Sequence, residues 1–267
     1  LVVATFVLWP PVHWSGLVWF AASMFLISCV GVSVGMHRGV IHRAFEMPAW
    51  FRMLTYYLCT LTGMGGPSSF IRMHQDRDYH QDQPECPYFF GYRVGPVTSY
   101  LMQVLCVYGG PNAAPHDHPA LTGMGLFGRL LDRTYLVAPV VYFGLLGLAG
   151  GWTAVWWGGL LPWVAGQNLF WASNYVCHTR GYVRFPRPGH AEHGYNQRLL
   201  GFFSFGEGFH NNHHEFPWSA RMGVGAWELD LGWAVVRVLH ATGVVGSVRA
   251  ASLTDDGKSA ASSDAID

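Results

Sequence analysis

The sequence predicts an all-α integral membrane protein, with four transmembrane helices in two hairpins and a helical cap on one side of the bilayer. Three observations carry this reading. Apolar residues make up 51% of the 267 positions and aromatics 15%, while 12% are charged, about half the usual share for a soluble domain. Mean hydropathy is positive. Charge is also segregated: residues 1–37 and 134–179 contain no Asp, Glu, Lys or Arg, and all 16 Lys and Arg fall in 38–133 or 180–258. The 33 glycines and 12 tryptophans agree, since membrane helices tolerate Gly and Trp favours the interface.

Taken in order, the elements fit this plan. The chain opens without Met in the apolar stretch LVVATFVLWPP, which suggests a start inside a helix and a shortened first span that ends at Pro10–Pro11. A spanning helix needs about 20 apolar residues, so a full second span is expected over roughly 14–36. Residues 47–64 (MPAWFRMLTYYLCTLTGM) are apolar with a single Arg and read as an interfacial or half-buried helix; residues 99–109 are similar. Residues 110–123 read as a loop from their Pro, Asn and Gly. The second uncharged block, 134–179, holds two spans with a turn near Gly150–Gly151. Residues 227–240 carry a helical apolar face. Residues 1–249 then form one membrane domain, and 250–267, small, polar and aperiodic, form a disordered tail.

Both charged blocks lie on one side of this arrangement, and their arginines make that side cytoplasmic. A net charge of zero excludes the basic field that nucleic acid binding requires. The five cysteines (Cys29, Cys59, Cys86, Cys106, Cys177) show no CxxC spacing and read as buried thiols.

The 14 histidines carry the functional signal. In GFHNNHHEFPWSAR (208–221), His210, His213 and His214 stand at i, i+3 and i+4, one face of a helix. They follow the apolar run LLGFFSFGEGF, where unpartnered imidazoles are costly to desolvate, so metal ligation is favoured over a solvated helix end. In HRGVIH, His37 and His42 are five apart. On an α-helix that is about 500° of rotation, so they do not share a face unless the helix ends between them. In NYVCH, Asn174 and His178 stand at i and i+4 at the end of the fourth span. Asn174 has two readings, holding a water on a metal or bonding a neighbouring helix. Glu207 also has two: orienting a ligand histidine through its second nitrogen, or helping to begin the helix that follows. All these histidines fall at one depth on one side. An all-histidine site does not choose between Zn, Fe and Cu, but seven or more histidines exceed one four-coordinate zinc, so two metals are expected.

The pattern resembles the membrane fatty acid desaturase superfamily, whose histidine boxes read HxxxxH, HxxHH and HxxHH, with an NxxxH element on the last span in the acyl-CoA desaturase branch. GMHRGVIHRAF is similar to the first box, NYVCHTRG to the NxxxH element, and GEGFHNNHHEFPWSARMG to the third box and its flanks. The resemblance runs in family order from about Trp14 to His240. It implies metal ligands at His37, His42, His74, His178, His210, His213 and His214, two non-heme iron ions, O2 as co-substrate, a lipid or acyl thioester substrate, and desaturation of the acyl chain. No cytochrome-like segment is evident at either end, so electrons are expected from a separate ferredoxin, rubredoxin or cytochrome.

The second box departs. It falls on HQDRD (74–78), where Arg77 and Asp78 replace two histidines. Arg77 stays protonated and does not ligate. Asp78 shares a face with His74 and is either a carboxylate ligand or an outer partner of one, the latter being favoured slightly. His80 reaches the site only if its helix ends early. This altered box keeps a lipid hydroxylase or related oxygenase open as an alternative, and a non-catalytic metal- or heme-binding membrane protein as a third. His116, His118, His190 and His193 read as exposed loop histidines, and His13 and His240 as interfacial or structural. Arg180, Arg184 and Arg187 read as anchoring residues in preference to a headgroup or donor site.

Overall fold

The computed structural model describes residues 11–80, 94–105, 118–186, 194–253 and 259–260. The shortened first span, His116, His190, His193, Arg187, Cys86, Cys106 and most of the tail lie outside them. Among the described residues the architecture is helical: α1 (Trp14–Ile41), α2 (Ala49–Thr60), α3 (Pro67–Tyr79), α4 (Pro96–Val104), α5 (Pro119–Thr122), α6 (Gly125–Arg133), α7 (Val137–Ala154), α8 (Leu161–Thr179), α9 (Arg198–Phe203), α10 (His210–Glu215) and α11 (Leu231–Ala241).

Helix α1 begins at His13, whose Nδ1 accepts from Ser15 N. It is longer than the span expected from the sequence because the winding continues five residues beyond 36, through His37 and Arg38 to Ile41, into the cap. From Phe25 to Ile41 it widens into π-type turns, and His42 N closes an i→i+5 bond to His37 O at 3.0 Å. Such wide turns are rare and recur at functional sites. Small residues let α2 lie close along it. A Cβ on Gly31 would stand 2.6 Å from Leu58 Cβ, and one on Gly35 2.4 Å from Thr55 Oγ1.

The block 134–179 folds as expected into two limbs. Gly151 has φ 61° and ψ −154°, a backbone state open to Gly and strained for other residues. The chain reverses there, so that Tyr142 OH donates to Gly158 O at 3.2 Å and Phe143 packs on Gly159. Helices α1 and α7 through α8 are long and apolar enough to cross a bilayer, and their apolar windows are only 33% and 22% buried. A core helix of a soluble protein would hide most of that surface; here Val18, Val140 and Leu148 face outward.

The cap is α2, α3 and the segment from α9 onward. One core joins Met36, Val40 and Ile41 of α1 to Tyr56 and Cys59 of α2 and Phe70 and Ile71 of α3. Another joins Ala44, Phe45 and Phe51 to Val236 and Val245. A buried ion pair ties the two parts: Arg38 Nη2 lies 3.0 Å from Asp230 Oδ1, and Arg38 also donates to Phe205 O (2.7 Å) and Ala220 O (2.9 Å). Asp230 in turn accepts from Trp233 N, Met222 N and Gly223 N.

Two segments differ from the sequence reading. Pro119–Thr122 forms a helical turn inside the expected loop, begun by Pro119 and capped by His118, whose Nδ1 accepts from Ala120 N. The chain also stays packed past residue 249: Ala251 is buried beside Phe216 and Val224, and Ser252–Leu253 pairs antiparallel with Ser259–Ala260.

Candidate metal centre

The wide turn at the end of α1 changes the geometry of the first histidine pair. On an α-helix His37 and His42 would point apart; an i→i+5 bond stacks residues five apart, and their ring centroids are 4.9 Å from each other. The helix ends at Ile41 with His42 as its C-cap, and the wide last turn gives the two rings a common face. His74 arrives from α3 and His213 from α10, and one ring nitrogen from each of the four histidines lies within 4.8 Å of the others. His37 Nε2 and His213 Nε2 are 3.2 Å apart. Asp78 Oδ2 lies 3.1 Å from His74 Nδ1 and 3.9 Å from His42 Nε2. Two donors at right angles, each about 2.1 Å from one ion, stand about 3 Å apart, so these separations suit a single ion. His42 Nε2 is buried and has no hydrogen-bond partner, a costly state that a cation would relieve. This cluster fits a metal. Four imidazoles converging on one point leave no slot for a porphyrin, which removes the heme reading.

Glu207 orients this cluster. Its Oε2 lies 2.5 Å from His37 Nδ1, and Ser33 Oγ donates to its Oε1 at 2.6 Å. The histidine it touches belongs to the first box and not to its own. Burial alone would raise the Glu207 pKa; His37, Arg38 and Ser33 outweigh it and hold the carboxyl at about 2. A carboxylate on Nδ1 leaves Nε2 as the lone-pair face. Burial would likewise raise the Asp78 pKa, and His74, His42 and Arg77 lower it further than burial raises it. Both groups are therefore carboxylates at neutral pH.

His178, His210 and His214 form a second cluster, again with nitrogens within 4.8 Å. Burial first, then the Arg77 charge, push the His210 pKa down to about 3, so the ring is neutral at physiological pH. Arg77 enters this cluster directly. Its Nε lies 3.2 Å from His178 Nε2, and its Nη2 lies 2.8 Å from His178 Nε2 and 3.4 Å from His214 Nε2. The spacing HQDRD thus divides along one face of α3, with His74 and Asp78 turned to the first cluster and Arg77 to the second. His80 is buried against Tyr79 at the end of α3 and belongs to neither cluster, because α3 runs through Tyr79 and does not end early. Asn174 bonds neither a neighbouring helix nor a histidine; its Nδ2 donates back to Phe170 O at 3.0 Å.

Helix α10 is only six residues long, too short to hold three histidines by itself. The two asparagines between them do so. Asn211 Oδ1 accepts from Arg184 N and Phe185 N, both at 2.8 Å. Asn212 Nδ2 donates to Met222 O and to Glu228 Oε2, both at 2.8 Å, and its Oδ1 accepts from Asn196 Nδ2 at 2.8 Å. Glu228 is fixed by Tyr182 OH and Arg184 Nη2, each at 2.6 Å. Arg184 thus pairs within the cap, where membrane anchoring was expected of it. Asn196, Asn211, Asn212, Tyr182 and Glu228 escaped the sequence reading; two adjacent Asn inside a histidine motif was the available signal.

A mostly apolar cavity leads to the centre. Ile27 and Val32 of α1, Met64, Phe70 and Met73, and Pro162, Trp163, Gly166, Leu169 and Phe170 of α8 line it, and His37, His74, Arg77, Asp78 and His210 close one end. Cys29, Cys59 and Cys177 are buried free thiols away from that lining, as expected.

Comparison with known proteins agrees with the site. A family model described as fatty acid desaturase matches residues 11–243. The sn-1 stearoyl-lipid 9-desaturase of Anabaena variabilis is 29% identical over 230 residues, 83% of this chain and 79% of that protein. The sn-2 palmitoyl-lipid 9-desaturase of Nostoc sp. (strain 36) is 27% identical, covering 88% and 82%. Delta-9 acyl-lipid desaturase 2 of Arabidopsis thaliana is 29% identical, covering 88% and 75%.

Proposed function

The chain belongs to the fatty acid desaturase family, and from that premise we propose that it is an iron- and O2-dependent lipid desaturase whose acyl substrate lies in the cavity between α1 and α8. The observation that carries this reading is the cavity itself: mostly apolar, with six ionisable or metal-ligating side chains in its lining, His37, His74, Arg77, Asp78, Glu207 and His210. Such a pocket suits a hydrocarbon chain that presents one methylene pair to a metal.

The reaction removes two hydrogens from adjacent methylenes. O2 is reduced to two waters with two further electrons and two protons, the electrons coming from a separate ferredoxin, rubredoxin or cytochrome. Bound iron would supply the O2 and electron-transfer chemistry that no side chain offers. His37, His42, His74 and His213 would hold it, with Asp78 as a fifth, oxygen donor suited to iron. Glu207 keeps the His37 lone pair aimed inward. Phe70, Leu169 and Phe170 exclude water from the reacting carbons. The second iron implied by the resemblance would fall on His178, His210 and His214, where Arg77 stands.

The outward apolar surface of α1, α7 and α8 supports an integral membrane protein. Its limbs would contribute to four crossings in two hairpins, with the arginine-bearing cap on the cytoplasmic side.

The test is product analysis. Purified protein in lipid, supplied with iron, O2, ferredoxin and its reductase, should convert acyl chains to products that have lost two hydrogens. Products that have instead gained one oxygen would replace desaturation by hydroxylation.

A further inference from the structure

The second box sends a guanidinium to the place where the family reading needs an ion. A metal held by His178 Nε2 and His214 Nε2 would stand about 2.1 Å from each. Arg77 Nη2 already stands 2.8 Å and 3.4 Å from those same two nitrogens, and 3.0 Å from His178 Nδ1. The two cannot share that space, and a divalent ion would meet a side chain that stays protonated. Nor is Arg77 a surface side chain that swings aside. It is 4% exposed, in the last turn of α3, a helix whose inner face is fixed by Phe70 and Ile71 in the core.

We infer that this chain carries one metal ion, at His37, His42, His74, His213 and Asp78, and that the Arg77 guanidinium is a permanent cation in the second position. His178 and His214 then serve as hydrogen-bond acceptors for Arg77 and not as ligands. Two observations support the division. Asp78 is turned toward the first cluster, so the altered box completes one site while closing the other. The only histidine nitrogen of the second cluster that is buried and without a hydrogen-bond partner among the described residues is His210 Nε2; one donor does not hold an ion. Arg77 is thus a positioning residue, acting on the reaction through the imidazoles and the charge it fixes. This rests on the iron-dependent reading above.

The experiment is an iron count on the full chain purified in detergent and reconstituted with excess ferrous iron, paired with Mössbauer spectroscopy. The wild type should bind one iron per chain with a mononuclear spectrum. His178→Ala should leave that count at one, and His42→Ala should reduce it to near zero. Arg77→His should raise it to two and introduce a second iron signal. Two irons in the wild type, with one lost in His178→Ala, would overturn the inference and leave the desaturase reading standing. No iron in the wild type would overturn both. Should Arg77→His fail to fold, the His178→Ala and His42→Ala counts decide the matter alone.

Discussion

Glu228 shows how much of the site depends on a residue that touches none of the histidine rings. It is buried, and it joins Tyr182, Arg184, Gly225 N and Asn212, so α10 sits on it through Asn212. Burial would raise its pKa, while Tyr182, Arg184 and Gly225 bring the net value below its ordinary 4.5. The unfolded chain therefore takes up a proton here before the folded one does. The stabilisation is fully present above about pH 4.5 and is lost as the pH falls through the lower folded value. Glu228→Gln should cost about 2 kcal/mol at pH 7, and the gap in thermal midpoint between wild type and variant should close below pH 4.5. Melting curves in detergent at pH 7 and pH 4 check this; a gap that stays constant would remove the charge from the explanation. Nothing in the sequence marks Glu228, because its side-chain partners Asn212, Arg184 and Tyr182 stand 16 to 46 residues away.

At the scale of the element, the histidine motifs were legible and their directions only partly so. His210, His213 and His214 share a face as the i, i+3, i+4 spacing requires, and Gly150–Gly151 reverses the chain where the uncharged block had room for a turn. For His37 and His42 the spacing alone was ambiguous for a physical reason: the rotation was taken from α-helical winding, and α1 does not keep that winding to its end. Which side of α1 and α8 faces inward also went unread, although Gln167 and Asn174 of α8, seven residues apart, both line the cavity. The structure assigns Gly166 to the cavity wall, where a Cβ would already lie 3.3 Å from Ser28 Oγ. Gly166→Phe should block the passage beyond it and shift acyl-chain selectivity toward shorter chains, by roughly tenfold or more. Competition between two chain lengths in one assay measures this, with iron content as the control; unchanged selectivity would place the acyl chain elsewhere.

For the whole molecule, the proposed orientation places the cap and the Gly150–Gly151 reversal on opposite sides of the bilayer. Trp227 is 79% exposed on the cap, and Gly151 is exposed at the reversal. With Cys86 and Cys106 replaced by Ser, an impermeant maleimide applied to intact cells should label Gly151→Cys and spare Trp227→Cys until the cells are opened. Labelling of both before lysis would reject the arrangement. The charge-free blocks made the two long apolar segments readable, since segregation of charge is a property of whole segments and survives errors in any single helix. The second cluster was not readable in the same way. Its key fact, Arg77 lying on His178, joins residues 101 apart and has no trace in local spacing.

The widened winding of α1 has a consequence for mutation. A helix with i→i+5 bonds can lose one residue and relax to ordinary i→i+4 winding without forfeiting its backbone pairing. Removing one residue between His37 and His42 would therefore cost the helix little, and at ordinary winding the two histidines would stand four apart, still on one face. What parts the rings is tightening without deletion, since five residues then turn about 500°. A single-codon deletion there would yield a protein that expresses and melts normally with its donors still convergent, whereas a substitution that merely tightens the last turns would keep every residue and scatter the donors.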